Sequence, residues 1–134
     1  MRRGNSEIIR EGLEYFRTTG KPSAQILAPE FVWDMSTFRG WPEQQLYEGA
    51  EGTERFMAEW LAAWDEWSLD AESFHEADDK VVAVMRQRGR SKASGLEIDM
   101  RFAQVWTMRD GLTTRMQMYA DPPEAFAAAG VEAP

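Results

Sequence analysis

No cysteine occurs among the 134 residues, and His75 is the one histidine. The first absence excludes disulfide staples and thiolate metal centres, and the second a histidine-rich metal site. Long apolar runs are missing too. Nothing approaches the roughly 18 residues a membrane-spanning helix needs, and Met1-Arg2-Arg3-Gly4 leads into a charged segment, not an apolar signal core. Basic residues are outnumbered, 15 Lys and Arg against 23 Asp and Glu, for a formal net charge of −8. A surface of that sign repels nucleic-acid phosphates. The expectation is a cytoplasmic protein without metal or cofactor, whose partners are neither nucleic acid nor membrane.

What the chain does have is apolar and aromatic mass: 43% hydrophobic residues, six Trp and seven Phe. At this length that predicts one domain over residues 1–134 with a real core. Ile8, Ile9, Leu13 and Phe16 recur at helical spacing and predict a helix over 5–19, closed by Gly20. Ser23 is placed to cap a short helix through Leu27, and Phe31 to Met35 alternates as a short strand with Phe31, Trp33 and Met35 on one face. Ser36 to Gly49 reads as a long irregular segment. A second strong helix is expected from Glu51 to Glu66, with Phe56, Met57, Trp60, Leu61 and Trp64 as its apolar stripe. Strands then follow over Trp67–Glu76, Lys80–Arg88, Leu96–Arg109 and Leu112–Ala120, and a last helix over Glu124–Ala129 before Gly130. Helices followed by a run of strands read as α+β, with helices packed on one face of a curved antiparallel sheet.

The final hairpin carries the sharpest expectation. Asp110-Gly111 between two strand-like runs is the signature of a two-residue type I′ turn. That turn sets Arg109 opposite Leu112, Val105 opposite Met116, Ala103 opposite Met118 and Arg101 opposite Ala120. Alternation then places Arg101, Ala103, Val105, Met116 and Met118 on one face, and Phe102, Gln104, Trp106, Arg115, Gln117 and Tyr119 on the other. The second face is too aromatic to leave wet, so it is expected to cover a homodimer interface. The facing of Arg86 and Arg88 stays open, because residues 89–95 are irregular.

Several motifs recur in a familiar order: Tyr47-Glu48-Gly49-Ala50-Glu51-Gly52 leading into Phe56, Asp79-Lys80-Val81-Val82, Ser94-Gly95, Phe102-Ala103-Gln104-Val105-Trp106, Arg109-Asp110-Gly111, and Tyr119-Ala120-Asp121 with Ala125 and Gly130. In these the chain resembles the SnoaL-like group of the nuclear transport factor 2-like superfamily. The resemblance implies a cone-shaped α+β barrel with a small-molecule cavity. It implies a cavity lined by Trp33, Met35, Phe56, Trp60, Arg101, Ala103, Val105, Met116 and Met118. Ketosteroid-isomerase relatives keep their acids and donor where this sequence has Leu13, Met35 and Ala103, and epoxide-hydrolase relatives keep a carboxylate at Met118. None of these side chains moves a proton.

The reading is therefore a binder of a hydrophobic small molecule, since methionine adapts to varied ligands. The alternative is a polyketide cyclase or ketosteroid isomerase-like enzyme acting on a hydrophobic carbonyl compound. It would use Asp121 or His75 as base and Arg101 as oxyanion stabiliser. Against it stand simpler roles: a helix cap for Asp121, an exposed strand position for His75, and pairing with Asp99 for Arg101.

Overall fold

The computed structural model describes residues 4–38 and 45–132. Helix α1 (Asn5–Thr19) buries Ile8, Ile9, Leu13 and Phe16. It stops at Gly20, whose φ of 74° lets its N–H return to the Phe16 carbonyl. A side chain there would be strained, which is why glycine ends the helix. A single 3-10 turn, Ala24–Ile26, leads into strand β1 (Leu27–Asp34), followed by β2 (Leu46–Glu48) and α2 (Gly49–Ala62). Four long strands come next: β3 (Trp64–Ala77), β4 (Lys80–Ser91), β5 (Glu97–Arg109) and β6 (Leu112–Tyr119), before the closing helix α3 (Pro122–Ala129).

The six strands form one curved sheet in the order β2-β1-β6-β5-β4-β3. All neighbours are antiparallel except β1 and β6, which run parallel. Pro29 is tolerated inside β1 because the pairing with β6 slips between Leu27 and Val32. Helix α2 ends four residues earlier than its periodicity predicts. Trp64 pairs instead with Ser91 at the start of the β3–β4 ladder, so long-range pairing overrides local propensity there.

Successive residues of each strand point to opposite faces, and both faces are covered. On the concave face, Val81, Ala83 and Met85 of β4 join Phe102 and Trp106 of β5 beneath α1 and α2. On the convex face, Val82, Val84, Ala103, Val105 and Tyr119 meet Ala125, Phe126 and Val131. The expectation that all helices share one face is thus corrected, because α3 folds back over the other side.

The hairpin register differs from expectation for a single reason. The Asp110-Gly111 turn forms as read, with positive φ at both residues and Arg109 opposite Leu112. Met108 then pairs with Thr113, but Thr107 pairs with Arg115, leaving Thr114 as an extra residue in β6. This β-bulge shifts every later pair by one, which exchanges the faces of one strand relative to the other. Trp106 now opposes Met116 and Gln104 opposes Met118, while Ala103 opposes Tyr119. The Thr107 carbonyl, displaced from the regular ladder, accepts from the hydroxyls of Thr113 at 3.1 Å and Thr114 at 3.4 Å. The two threonines satisfy the group that the bulge leaves over.

Two sets of residues change place as a result. Ala103 and Val105 lie on the convex face beneath α3, not in the barrel. Phe102, Gln104 and Trp106 are buried on the concave face, at 2%, 3% and 5% exposure, and cannot form an outer-face dimer interface. Of that expected interface, Arg115 and Gln117 remain half-exposed, and Tyr119 packs in the α3 cluster.

Candidate functional site

A cavity lies between the concave face and helices α1 and α2. Helix α1 contributes Ile9, Gly12, Leu13 and Phe16, and the following turn adds Pro22, Ser23 and Ile26. From α2 come Thr53, Phe56, Met57 and Trp60, and from the strands Leu27, Trp33, Leu69, Phe102, Gln104, Trp106 and Met118. The room for water centres is about 40 Å³, enough for a few waters, each of which needs roughly 10–15 Å³. Gly12 matters to its shape: a Cβ there would stand 2.7 Å from Ile26 Cδ1. The bare helix surface receives Ile26, which closes the α1 side.

The walls are largely aromatic. Trp33 stacks at a tilt on Phe56, 4.8 Å between centroids, and meets Trp106 edge-on at 5.7 Å. Each of the three wall indoles has its N–H engaged. Trp33 Nε1 donates to Met35 Sδ at 3.3 Å, Trp60 Nε1 to Gln87 Oε1 at 2.7 Å, and Trp106 Nε1 to Gln104 Oε1 at 3.1 Å. Thr53, the buried hydroxyl on α2, donates to the Gly49 carbonyl at 2.8 Å. Among the described residues that line the cavity there is no Asp, Glu, His, Lys, Arg or Tyr.

Of the residues expected to line a cavity, Trp33, Phe56, Trp60 and Met118 border this one. Met35 and Met116 are fully buried in the surrounding core, behind its wall. Arg101 is elsewhere. It is exposed on the convex side, where its guanidinium donates to both oxygens of Glu72 at 2.6 and 3.0 Å. The Arg86–Asp99 pair beside it is bidentate as well, at 2.8 and 2.7 Å. This answers the open facing of Arg86, and it gives Asp99 to Arg86 where Arg101 had been the expected partner. Hydrogen bonds from Arg101 and Arg86 hold the Glu72 and Asp99 carboxyls below the usual carboxylate range.

The two expected bases are equally remote. His75 opposes Val82 on the convex face, edge-on to Phe126 at 4.9 Å, with Nε2 at 2.9 Å from Ser73 Oγ. Asp121 is the exposed residue before α3, without a side-chain cap bond. His75, Asp121 and Arg101 therefore do not meet at the cavity. One buried carboxylate does exist, Asp34 at the end of β1, with 2% exposure. Burial pushes its pKa up, but bonds from Ser36 and Arg115 outweigh this and leave it lowered. It is a structural ion pair outside the cavity lining. The described residues hold no group of three or more His, Asp or Glu able to bind a metal, and no helix among them is long and apolar enough to cross a membrane.

Residues 39–44, part of the irregular segment expected over Ser36–Gly49, lie outside the described residues. The cavity residues missed in the sequence are Phe102, Gln104 and Trp106, together with the α1 stripe. A signal was present: the even-numbered residues of β5 carry far more bulk than Ala103 and Val105, and the larger core needs the larger side chains.

The same architecture recurs in solved structures. TerC co-crystallized with polyporic acid has a TM-score of 0.72 and 25% identity, covering 93% of this chain and 96% of that one. An NTF2-like protein from Burkholderia thailandensis E264 has a TM-score of 0.76 and 23% identity, covering 96% and 98%. A protein with a ketosteroid isomerase-like fold from Catenulispora acidiphila DSM 44928, in complex with trimethylamine, has a TM-score of 0.66 and 14% identity, covering 91% and 94%. No curated protein matches the sequence. The family model for the SnoaL-like domain matches residues 20–116, and the chain belongs to that family.

Proposed function

We propose that the cavity beneath α1 and α2 binds a hydrophobic small molecule, and that its walls take no part in acid–base chemistry. The observation that carries this reading is the lining itself: six aromatic side chains, Phe16, Trp33, Phe56, Trp60, Phe102 and Trp106, with no ionisable side chain among the described lining residues. Ligand sites of this kind are mostly apolar, with a few polar groups that fix orientation. Two structural neighbours support it, one co-crystallized with polyporic acid and one in complex with trimethylamine.

At about 40 Å³ the cavity is too small for an aromatic ligand, so binding must widen it. Met57 and Met118 are the wall residues best suited to yield, being unbranched with several rotatable bonds. The enzyme reading has its three groups, His75, Asp121 and Arg101, on or beyond the convex face, and gains no support from the geometry.

A thermal-shift screen of aromatic and polycyclic compounds, with tryptophan fluorescence as a second readout, tests the proposal. Compounds that fill the cavity raise Tm in a concentration-dependent way and quench the wall indoles. If no compound does either, the cavity is ordinary core and the proposal fails.

A further inference from the structure

Leu13 borders two spaces. One is the cavity, and the other is a recess of about 200 Å³ in the seam between α1 and β3. The two share no other lining residue. Buried Leu13 and Met85 with half-buried Phe74 make the recess an apolar floor. Its rim is charged and exposed, with Arg10, Glu14 and Arg17 from α1 and Asp70 from β3.

The two rim arginines differ in what they hold. Arg17 is committed to carboxylates, 2.8 Å from Glu14 and 3.6 Å from Asp70. Arg10 has no carboxylate partner among the described residues, and its guanidinium carbon lies over the Phe74 ring, 4.8 Å from the centroid. Two acids of its own helix stand at pairing distance in sequence, Glu7 three residues before it and Glu14 four after. Glu14 is taken by Arg17, and Glu7 forms no ion pair among the described residues. Elsewhere Arg86, Arg90, Arg101, Arg109 and Arg115 each hold an acid. In a chain of net charge −8, a guanidinium left over beside an apolar recess is the exception.

A guanidinium attracted to a ring through its face keeps its in-plane N–H groups for other partners. Those groups match the two oxygens of a carboxylate. We propose that the recess is a second ligand site, in which Arg10 takes the carboxylate of a small monocarboxylic acid and Phe74, Leu13 and Met85 take its apolar body. Size bounds the ligand from above. Drug-sized molecules occupy about 300–1,000 Å³, so this one is no larger than a single substituted ring or a short branched chain. The rest of the rim bounds its charge. A second carboxylate would meet Glu14 and Asp70, which already share Arg17, and be repelled. The site is independent of the cavity reading, because Arg10 does not border the cavity.

The test titrates benzoate, benzyl alcohol and phthalate into the full chain. Binding is followed by the NMR amide signals of Arg10, Leu13, Ala71 and Phe74 and by the Met85 methyl signal. Benzoate is expected to shift them saturably, and benzyl alcohol, which keeps the ring and lacks the charge, to bind at least about fivefold more weakly. Arg10→Gln, an exposed change between two good helix formers, should weaken benzoate about fivefold and leave the remaining amide spectrum in place. Added salt should weaken benzoate as well. Equal binding of benzoate and benzyl alcohol, or benzoate binding unchanged in Arg10→Gln, overturns the role of Arg10. Benzoate that leaves the recess signals unmoved, or moves those of Trp33 and Trp106 in their place, overturns the site. Phthalate binding as tightly as benzoate overturns the monocarboxylate class. Each of these failures leaves the cavity reading to its own screen.

Discussion

The two faces of the sheet are built from alternate residues of the same strands, yet they differ in kind. The concave face carries large side chains whose polar atoms are amides and indoles, paired in Trp60–Gln87 and Trp106–Gln104. The convex face carries small apolar side chains under α3, and farther along it bidentate pairs such as Arg86–Asp99 and Arg101–Glu72 in water. Stability is concentrated on the side where apolar area leaves water. Charge sits where solvent screens it and contributes little. Neutral polarity and tight packing on the concave side are what a hydrophobic ligand needs. The convex side has the ionisable groups, paired with one another in solvent.

Four substitutions would break or sharpen that contrast. Trp60→Ala has the largest expected effect. Removing an indole that touches Phe56, Trp64 and Phe102 and bonds Gln87 should cost on the order of 3–5 kcal/mol in urea unfolding. A loss under about 1 kcal/mol would mean that the concave face is loosely packed. Ala103→Leu comes next: overpacking beneath α3 should cost about 1–3 kcal/mol while leaving cavity ligands bound as before. If it instead blocked binding, Ala103 would face the barrel and the bulge at Thr114 would be wrong.

Asp34→Asn weakens bonds to Ser36 and Arg115 and should cost about 1–2 kcal/mol at neutral pH. The sign follows from linkage. The folded pKa is lowered, so the contribution is full above the ordinary aspartate value of about 3.9 and fades as pH falls through the folded value. Urea midpoints of wild type and variant should therefore converge in acid, and a gap that persists there would assign the effect to packing. Arg101→Ala has the smallest expected effect. Its side chain is 59% exposed, so neither the unfolding midpoint nor ligand affinity should shift measurably. A marked loss of binding would return Arg101 to the site.

Much of the fold is legible in residue order. The α1 stripe ending at Gly20 and the Asp110-Gly111 turn each rest on a local rule, helical spacing in one case and tolerated positive φ in the other. The candidate site is legible only in part. Trp33, Phe56, Trp60 and Met118 were reachable from their periodicity and the family resemblance, whereas Phe102, Gln104 and Trp106 were assigned to the wrong side of the sheet. Gln87 gave no signal at all, since a glutamine among arginines in Met85-Arg86-Gln87-Arg88 reads as surface.

By itself the sequence determined the class of fold and the turn of the last hairpin. These depend on composition and on contacts a few residues long. Tertiary structure alone decided which face of each strand turns inward. The inserted Thr114 is stabilised by a carbonyl on the neighbouring strand. Because strand periodicity is two, that one residue was enough to exchange the faces paired across the hairpin.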